Sequence, residues 1–338
     1  MTMPSSVVLT IILNYKTAEM SLRSAEAALG AMEGIEGEII LVDNDSQDGS
    51  FEKMCTHVTS RGWDKNNRVR VLQSGHNGGY GSGNNVGIRA KLSSGQAPDY
   101  IYVLNSDAFP EKEAIRILRD HLDTHPKTGF VGSYIHGEDD DPHLTSFRFP
   151  SIASEFESAI RFGPVTRILA HHVVPIPIPD HSRPVDWLAG ASLMMRQNLL
   201  DEIGLFDETF FLYFEETDLC RRAAQAGYQT HYLRDSRVMH IGSVSTGMKS
   251  WSRVPKYWFD SRLHYFTKNH GALYAAGATL AHLSGGLLHW LRCLITRKNR
   301  DVPPFFLTTL AWHDLRAGLY ACLPNNRRER RHNPIPGE

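Results

Sequence analysis

The chain has 338 residues, more than twice a usual domain of about 150, so one large α/β domain with an appendage or two domains both fit. Hydrophobic residues at 41% and charged residues at 22% exclude a chain disordered by composition, and Lys+Arg 36 against Asp+Glu 37 leaves a net charge of -1, without the basic footprint of a nucleic-acid binder. The four cysteines, Cys55, Cys220, Cys293 and Cys322, lie far apart with no C-x-x-C pair, which argues against a zinc cluster or a disulfide framework.

The opening MTMPSSVVLTIILNY has no basic segment ahead of an apolar run only one strand long, so no signal peptide is read and a cytoplasmic location is expected. Residues 7–13 (VVLTIIL) are β-branched and nearly all apolar, as a strand covered on both faces must be. Residues 18–32 read as a helix, 38–42 (EIILV) as a second strand, 69–73 (VRVLQ) as a third, 84–92 as a helix and 100–104 (YIYVL) as a fourth strand. This alternation predicts a parallel sheet wound with helices. Ligands bind such sheets beyond the carboxyl ends of the strands. There the sequence turns polar: Asn14-Tyr15-Lys16 after the first strand, Asp43-Asn44-Asp45-Ser46-Gln47-Asp48-Gly49-Ser50 after the second, a glycine-rich run from Asn77 to Asn85 after the third, and Asn105-Ser106-Asp107 after the fourth. Turn chemistry explains any one cluster; four along one edge predict a site.

The glycine run fits neither a dinucleotide fingerprint nor a P-loop, since no G-x-G-x-x-G or G-x-x-x-x-G-K-[ST] can be placed there. Gly78, Gly79, Gly81 and Gly83 then read as close backbone approach to a ligand, or as positive-φ turns, ahead of a helix whose N-terminus can face phosphate. Farther on, residues 185–195 place Asp186, Trp187 and Gly190 before an apolar strand. Phe210 to Arg222 (FFLYFEETDLCRR) ends an aromatic run in an acidic helix start, with Gly227 as the expected C-terminal cap and 228–233 as the next strand.

The motifs ILNYK, LVDNDSQDGS, HNGGYGSGNNVGI, VLNSDA, the stretch from VDWLAGAS to FEETDLCRRAAQAGY, and VMHIGSVSTG follow one another in order over roughly residues 7–270. Together they resemble the family 2 glycosyltransferases, in their bacterial rhamnosyltransferase-like branch. The resemblance implies an α/β GT-A fold, a Rossmann-like sheet with helices on both faces, with the catalytic domain at 1–250 (nucleotide half about 1–107, acceptor half about 108–250). It implies a nucleotide-sugar donor, dTDP-rhamnose or alternatively a UDP-hexose or UDP-uronic acid, and a glycan or lipid-linked oligosaccharide acceptor.

By the same resemblance Asp43 accepts the N–H of uracil or thymine, with Asn14 and Asn77 near the nucleotide; Asp45 and Asp48 fit turn-shaping as well. Departure of a nucleoside diphosphate calls for a cation, Mg²⁺ or Mn²⁺, held by Asp107, with His240 as a second candidate ligand. Asn105 stands where the family's D-x-D motif often has its first acid, and is assigned to ribose or diphosphate. Asp186, Trp187 and Gly190 are assigned to the transferred sugar or acceptor. Glu216 aligns with the family's catalytic Asp and Glu215 with its neighbouring Glu; the extra methylene leaves open whether Glu216 adapts or Glu215 takes part. A nucleotide-sugar pyrophosphorylase, the alternative from another class, would need a phosphate loop after strand one, where this chain has Asn14-Tyr15-Lys16.

Beyond residue 250 the character changes. Residues 271–291 contain no Asp, Glu, Lys or Arg and are followed by Arg292, Arg297, Lys298 and Arg300. This predicts an amphipathic helix on the inner face of the plasma membrane through 271–300, within a helical region at 251–325; the alternative is a helical subdomain packed on itself. The tail 326–338 reads as basic and disordered.

Overall fold

The computed structural model describes residues 6–242, 253–299 and 303–321. The chain divides into two compact units, Met1–Phe149 with Val173–Trp251, and Pro150–His172 with Ser252–Glu338.

The first unit opens with β1 (Val8–Asn14), α1 (Ala18–Ala31), β2 (Gly37–Asp43), α2 (Ser50–Ser60), β3 (Val69–Gln73), α3 (Gly79–Ala90) and β4 (Tyr100–Asn105). β1 pairs in parallel with β2 and β4, and β2 with β3. Successive residues of these strands enter two separate cores, as a period of two requires: Val8, Ile12, Ile39 and Leu41 pack with α1 and α2, while Leu9, Ile11, Ile40 and Val42 pack on the opposite face with Ile88 of α3. That double burial is why the strands read as unbroken apolar runs.

β5 (Ala108–Pro110), α4 (Ala114–Thr124), β6 (Thr128–His136) and β7 (Ser146–Phe147) follow; α5 (Ile152–Ile160) and α6 (Gly163–Ile168) belong to the second unit. The first unit resumes with β8 (Arg183–Val185), β9 (Trp187–Leu188), β10 (Ser192–Arg196), α7 (Gln197–Ile203), α8 (Glu215–Gln225) and β11 (Gln229–His240). Among the described residues the main sheet has nine strands in the order β3-β2-β1-β4-β10-β6-β11-β5, with β8 also paired to β11. Because β10 runs antiparallel to β4, with Ser192 opposite Leu104, the residues just before β10 sit at the carboxyl edge. β6 is antiparallel to β10 and β11 parallel to β6, so His240, the last residue of β11, reaches that same edge opposite Ala108.

The first four strands lie where the sequence predicts. α2 is an addition to that reading, and α3 starts five residues earlier than expected. Gly79, Gly81 and Gly83 are therefore helical, and other parts of the chain come close to them. A Cβ on Gly79 (φ +88°) would fall on the Phe211 carbonyl, one on Gly81 2.9 Å from Phe206, and one on Gly83 2.4 Å from Leu13. The glycines let α3 press against both the sheet and the chain leading into α8.

In the second unit, α9 (Lys256–His270), α10 (Ala272–Thr296) and α11 (Phe306–Ala321) join α5 and α6. α10 buries Ala275, Ala278, Thr279, Gly285, Gly286, His289 and Cys293. Small residues allow α5 so close that a Cβ on Gly285 would lie 2.7 Å from the Phe156 carbonyl oxygen. Arg262, 1% exposed, pairs with Glu155 of α5 at 2.9 Å and Asp314 of α11 at 3.3 Å, and His282 of α10 meets Glu155 at 2.8 Å. This buried polar network draws residues 150–172 into the helical unit, whereas the sequence assigns them to the acceptor half of the catalytic domain. The tail at 326–338 lies outside the described residues. Among the described residues no helix is long and apolar enough to cross a membrane.

Candidate active site

Asp43, the last residue of β2, is buried at the carboxyl edge. Its Oδ1 accepts from Asn14 Nδ2 at 2.7 Å and Ser46 Oγ at 2.6 Å, and among the described residues its Oδ2 accepts the Ser46 amide at 3.2 Å. Asn14 is fully buried, and its own Oδ1 accepts from the Thr17 amide and Ser21 Oγ. Asn14 thus stands behind Asp43 and orients it, leaving Oδ2 with unused capacity for a further donor. Asn77 accepts from Asn44 Nδ2 at 2.9 Å and from the Gly79 amide, fixing the entry to α3. Asp45 (φ 56°) accepts from Gln47 and Asp48 from the Ser50 amide, so both shape the turn into α2.

α8 begins after Tyr213 and Phe214, both at φ 70°, a left-handed conformation that costs bulky residues roughly 1–3 kcal/mol each. Three acids lie in its first turn, and the fold separates their roles. Asp218 is fully buried and pairs with Arg222 at 2.9 Å, whose guanidinium also donates to the carbonyls of Ile203, Gly204 and Leu205. Glu215 is 1% exposed and its Oε2 has no hydrogen-bond partner among the described residues; burial, then the neighbouring Glu216 charge, pushes its carboxyl well above the carboxylate range. Glu216 is half-buried and accepts the Gly190 amide on Oε1 at 3.1 Å. Burial raises Glu216 to about 7 despite the amide hydrogen bonds from Gly190 and its own backbone that favour the ionised form. A helix N-terminus by itself would hold a carboxylate ionised; desolvation wins here.

Gly190 is gripped from both sides. Tyr80 Oη donates to its carbonyl at 2.8 Å while its amide donates to Glu216. A Cβ at position 190 would fall 2.4 Å from both Glu216 Oε1 and Tyr80 Oη, so the small residue admits these two side chains. Gly190→Ala is expected to lower activity at least tenfold and stability by about 1–3 kcal/mol, the usual cost of overpacking; a denaturant melt and an initial-rate assay check both. Asp186 and Trp187 are placed nearby but are engaged elsewhere. Asp186 is exposed and accepts the Phe149 amide, and Trp187 stacks on Phe147 at 4.2 Å and donates its indole N–H to the Arg148 carbonyl.

Asp107 and His240, far apart in sequence, come together in the fold. His240 Nε2 lies 3.1 Å from Asp107 Oδ1 and 3.3 Å from Asn105 Nδ2, and the Gly242 amide donates to Asp107 Oδ2 at 3.0 Å. Burial alone would raise the Asp107 carboxyl, but the His240 contact and the amides outweigh it and hold it below the usual range. An oxygen and an imidazole nitrogen at this separation suit adjacent ligands of one divalent ion, whose bonds of about 2.1 Å at right angles span about 3 Å. The rest of the VMHIGSVSTG motif, residues 243–247, lies outside the described residues.

These contacts close into a ring. From Asn14 and Asp43 it runs through the next residue, Asn44, to Asn77 and Gly79, and through the adjacent Tyr80 to Gly190 and Glu216; beside Gly190 the Ala191 carbonyl accepts the Asn105 amide at 3.1 Å, Asn105 meets His240, which meets Asp107, and Ser106 between them returns through Thr17 to Asn14. Sequence reasoning passed over Ser46, Asn44 and Tyr80. Ser46 is marked only by its spacing three residues after Asp43, and Tyr80 only by being the one bulky residue within the glycine run.

A wound sheet with this ring at its carboxyl edge is that of a glycosyltransferase with the GT-A fold. Residues 4–256 match the model of the family described as "Glycosyltransferase like family 2", and the chain belongs to that family. Over 223 residues, 62% of this chain and 68% of the relative, it is 29% identical to an N-acetylglucosaminyl-diphospho-decaprenol L-rhamnosyltransferase of Mycobacterium tuberculosis. It is 25% identical to the rhamnosyltransferase WbbL of Escherichia coli over 48% of this chain and 60% of that protein. A Pyrobaculum calidifontis mannosyltransferase solved with GDP-Man and Mn²⁺ shares the fold at a TM-score of 0.52, with 12% identity over 95% of this chain and 89% of that one. GalNAc-T7 solved with UDP, GalNAc and Mn²⁺ does so at 0.54, with 12% identity over 93% and 58%.

Proposed function

We propose that this glycosyltransferase moves rhamnose from dTDP-rhamnose onto a glycan or lipid-linked oligosaccharide in cell-surface polysaccharide synthesis, with inversion and with a bound divalent cation. The observation that carries the reading is the ring itself, which joins a nucleotide-facing carboxylate, a candidate cation pair and a proton acceptor in one connected network. In this reading Asp43 Oδ2 accepts the base N–H, so a uracil or thymine is preferred to cytosine, which lacks that donor. Asp107 and His240 hold the cation, Asn105 orients His240, and Glu216 takes the proton of the attacking acceptor hydroxyl. When bound, Mg²⁺ or Mn²⁺ neutralises charge on the departing diphosphate; the imidazole nitrogen favours Mn²⁺. With Asp107 and His240 as its protein ligands, the cation would keep coordination positions open to the oxygens of the donor diphosphate, which would couple its binding to that of the donor.

A rhamnosyl donor is preferred to a UDP-hexose or UDP-uronic acid because relatives from two bacteria carry rhamnosyltransferase names, one of them with a decaprenol-linked acceptor. The location that goes with this reading is the cytoplasmic face of the plasma membrane. The test is calorimetric titration of UDP, dTDP, CDP, GDP and ADP with Mn²⁺ present, followed by turnover of dTDP-rhamnose and UDP-sugars. UDP and dTDP are expected to bind roughly 10- to 100-fold more tightly than the others, the worth of one hydrogen bond to a charged acceptor. Equal affinities for all five would remove the role of Asp43, and no transfer from any dTDP- or UDP-sugar would remove the reading.

A further inference from the structure

α10 is packed inside out. Its buried side is made of Ala, Gly, Thr, His and Cys, while its large apolar residues face away from the unit: Leu273 is 92% exposed, Ile295 83%, and Leu280, Leu287 and Leu294 are exposed as well. Leu273, Leu280, Leu287 and Leu294 recur every seven residues and Ile295 follows the last, so at 100° per residue they form one stripe along the helix. α11 repeats the pattern with Trp312, Leu315 and Leu319, all exposed. A helix that only needed to cap this unit would bury its leucines and expose its small and polar residues. Exposed apolar area on this scale marks a surface with a partner.

Charge indicates which partner. Residues 150–172 and 252–338 hold 15 Lys and Arg against 7 Asp and Glu, and the rest of the chain 21 against 30, together the 36 and 37 of the whole chain. The acids described in this unit face inward or are paired: Glu155 and Asp314 bind Arg262, Glu157 accepts from Thr166, and Asp260 is held by Lys256 and His313. Arg297 and Lys298, beyond the end of α10, and Arg316 on α11 are exposed. The basic excess of the unit disfavours a second copy of it, whereas anionic headgroups attract it while acyl chains take up the leucines.

We infer that the second unit binds an anionic lipid bilayer through the outward faces of α10 and α11, lying in the interface without crossing it. This goes beyond the proposed transfer reaction and does not depend on it.

The test uses the full chain and vesicles of phosphatidylcholine with or without phosphatidylglycerol. Wild type is expected to sediment with the anionic vesicles, more weakly with the neutral ones, and brominated lipid is expected to quench its fluorescence, a quenching reduced in Trp312→Phe. The combined variant Leu280→Glu, Leu287→Glu and Leu294→Glu changes only exposed positions. It is expected to keep the wild-type melting temperature and nucleotide binding while losing vesicle affinity roughly tenfold or more. Undiminished binding by that variant, or equal binding to both vesicle types, overturns the inference. So does a wild type that ignores vesicles and sediments as a dimer which the same substitutions split.

Discussion

Glu216→Gln is expected to lower sugar transfer by roughly 10²- to 10⁴-fold while nucleotide and cation binding stay near wild type, because the variant keeps the Gly190 hydrogen bond but cannot accept a proton. The wild-type rate should rise with pH through about 7, where Glu216 loses its proton, and level off above it. Glu215→Gln makes the contrast: a buried carboxyl already held protonated is replaced by a neutral side chain of its own size, so activity should remain within a few-fold of wild type. Stability should move the other way. Glu216 ionises near 4.5 in the unfolded chain and near 7 in the native one, so the native state is favoured below pH 4.5 and loses that advantage as pH rises through 7. Glu216→Gln is then expected to be more stable than wild type at pH 8, by on the order of 3 kcal/mol at most, and no more stable at pH 4. A fully active Glu216→Gln beside a dead Glu215→Gln would move the base one residue back.

Asp107→Asn is expected to reduce transfer by roughly 10³-fold, the scale on which removal of a preorganised charged partner acts. It should also abolish the dependence of dTDP affinity on added Mn²⁺, which titration of dTDP with and without the ion reads directly. Asparagine keeps the size and the capacity to accept from the Gly242 amide but gives up the charge that the fold favours, so the melting temperature should fall modestly near neutral pH and less in acid, where the wild-type carboxyl is itself neutral. His240→Ala should weaken the same coupling less, since one carboxylate remains. Transfer by Asp107→Asn at the wild-type rate in the presence of EDTA would remove both the cation and its proposed holder.

The first half of the fold was legible because β1, β2 and β4 are covered on both faces, and such strands must be apolar throughout whatever surrounds them. Asp43 and Asp107 were legible for a related reason: a parallel sheet brings the residues after its strands to one edge, so polar residues at four strand ends suffice to locate a site. The glycine run was legible as a constraint and not as its cause, since nothing local says that the close neighbour of Gly79 is the Phe211 backbone. The length of α10 and its lack of charge were evident in sequence, but its periodicity says only that leucines share one face and not which face is buried.

The sequence by itself therefore determined the alternation of strands and helices in the nucleotide half, the edge where the site forms and the family to which the chain belongs, because all three depend on local composition and on motifs in order. Tertiary structure decided which carboxylate of the acidic helix start is free to move a proton. Asp218, Glu215 and Glu216 are the same chemical group within four positions, and they differ only in what surrounds them: Asp218 is spent on Arg222, Glu215 is buried with its Oε2 unpartnered among the described residues and its carboxyl pushed well above the carboxylate range, and Glu216 accepts from Gly190 while burial raises it to about 7. Desolvation and long-range contacts set those differences, and both arise only when β10, α3 and α8 are brought together.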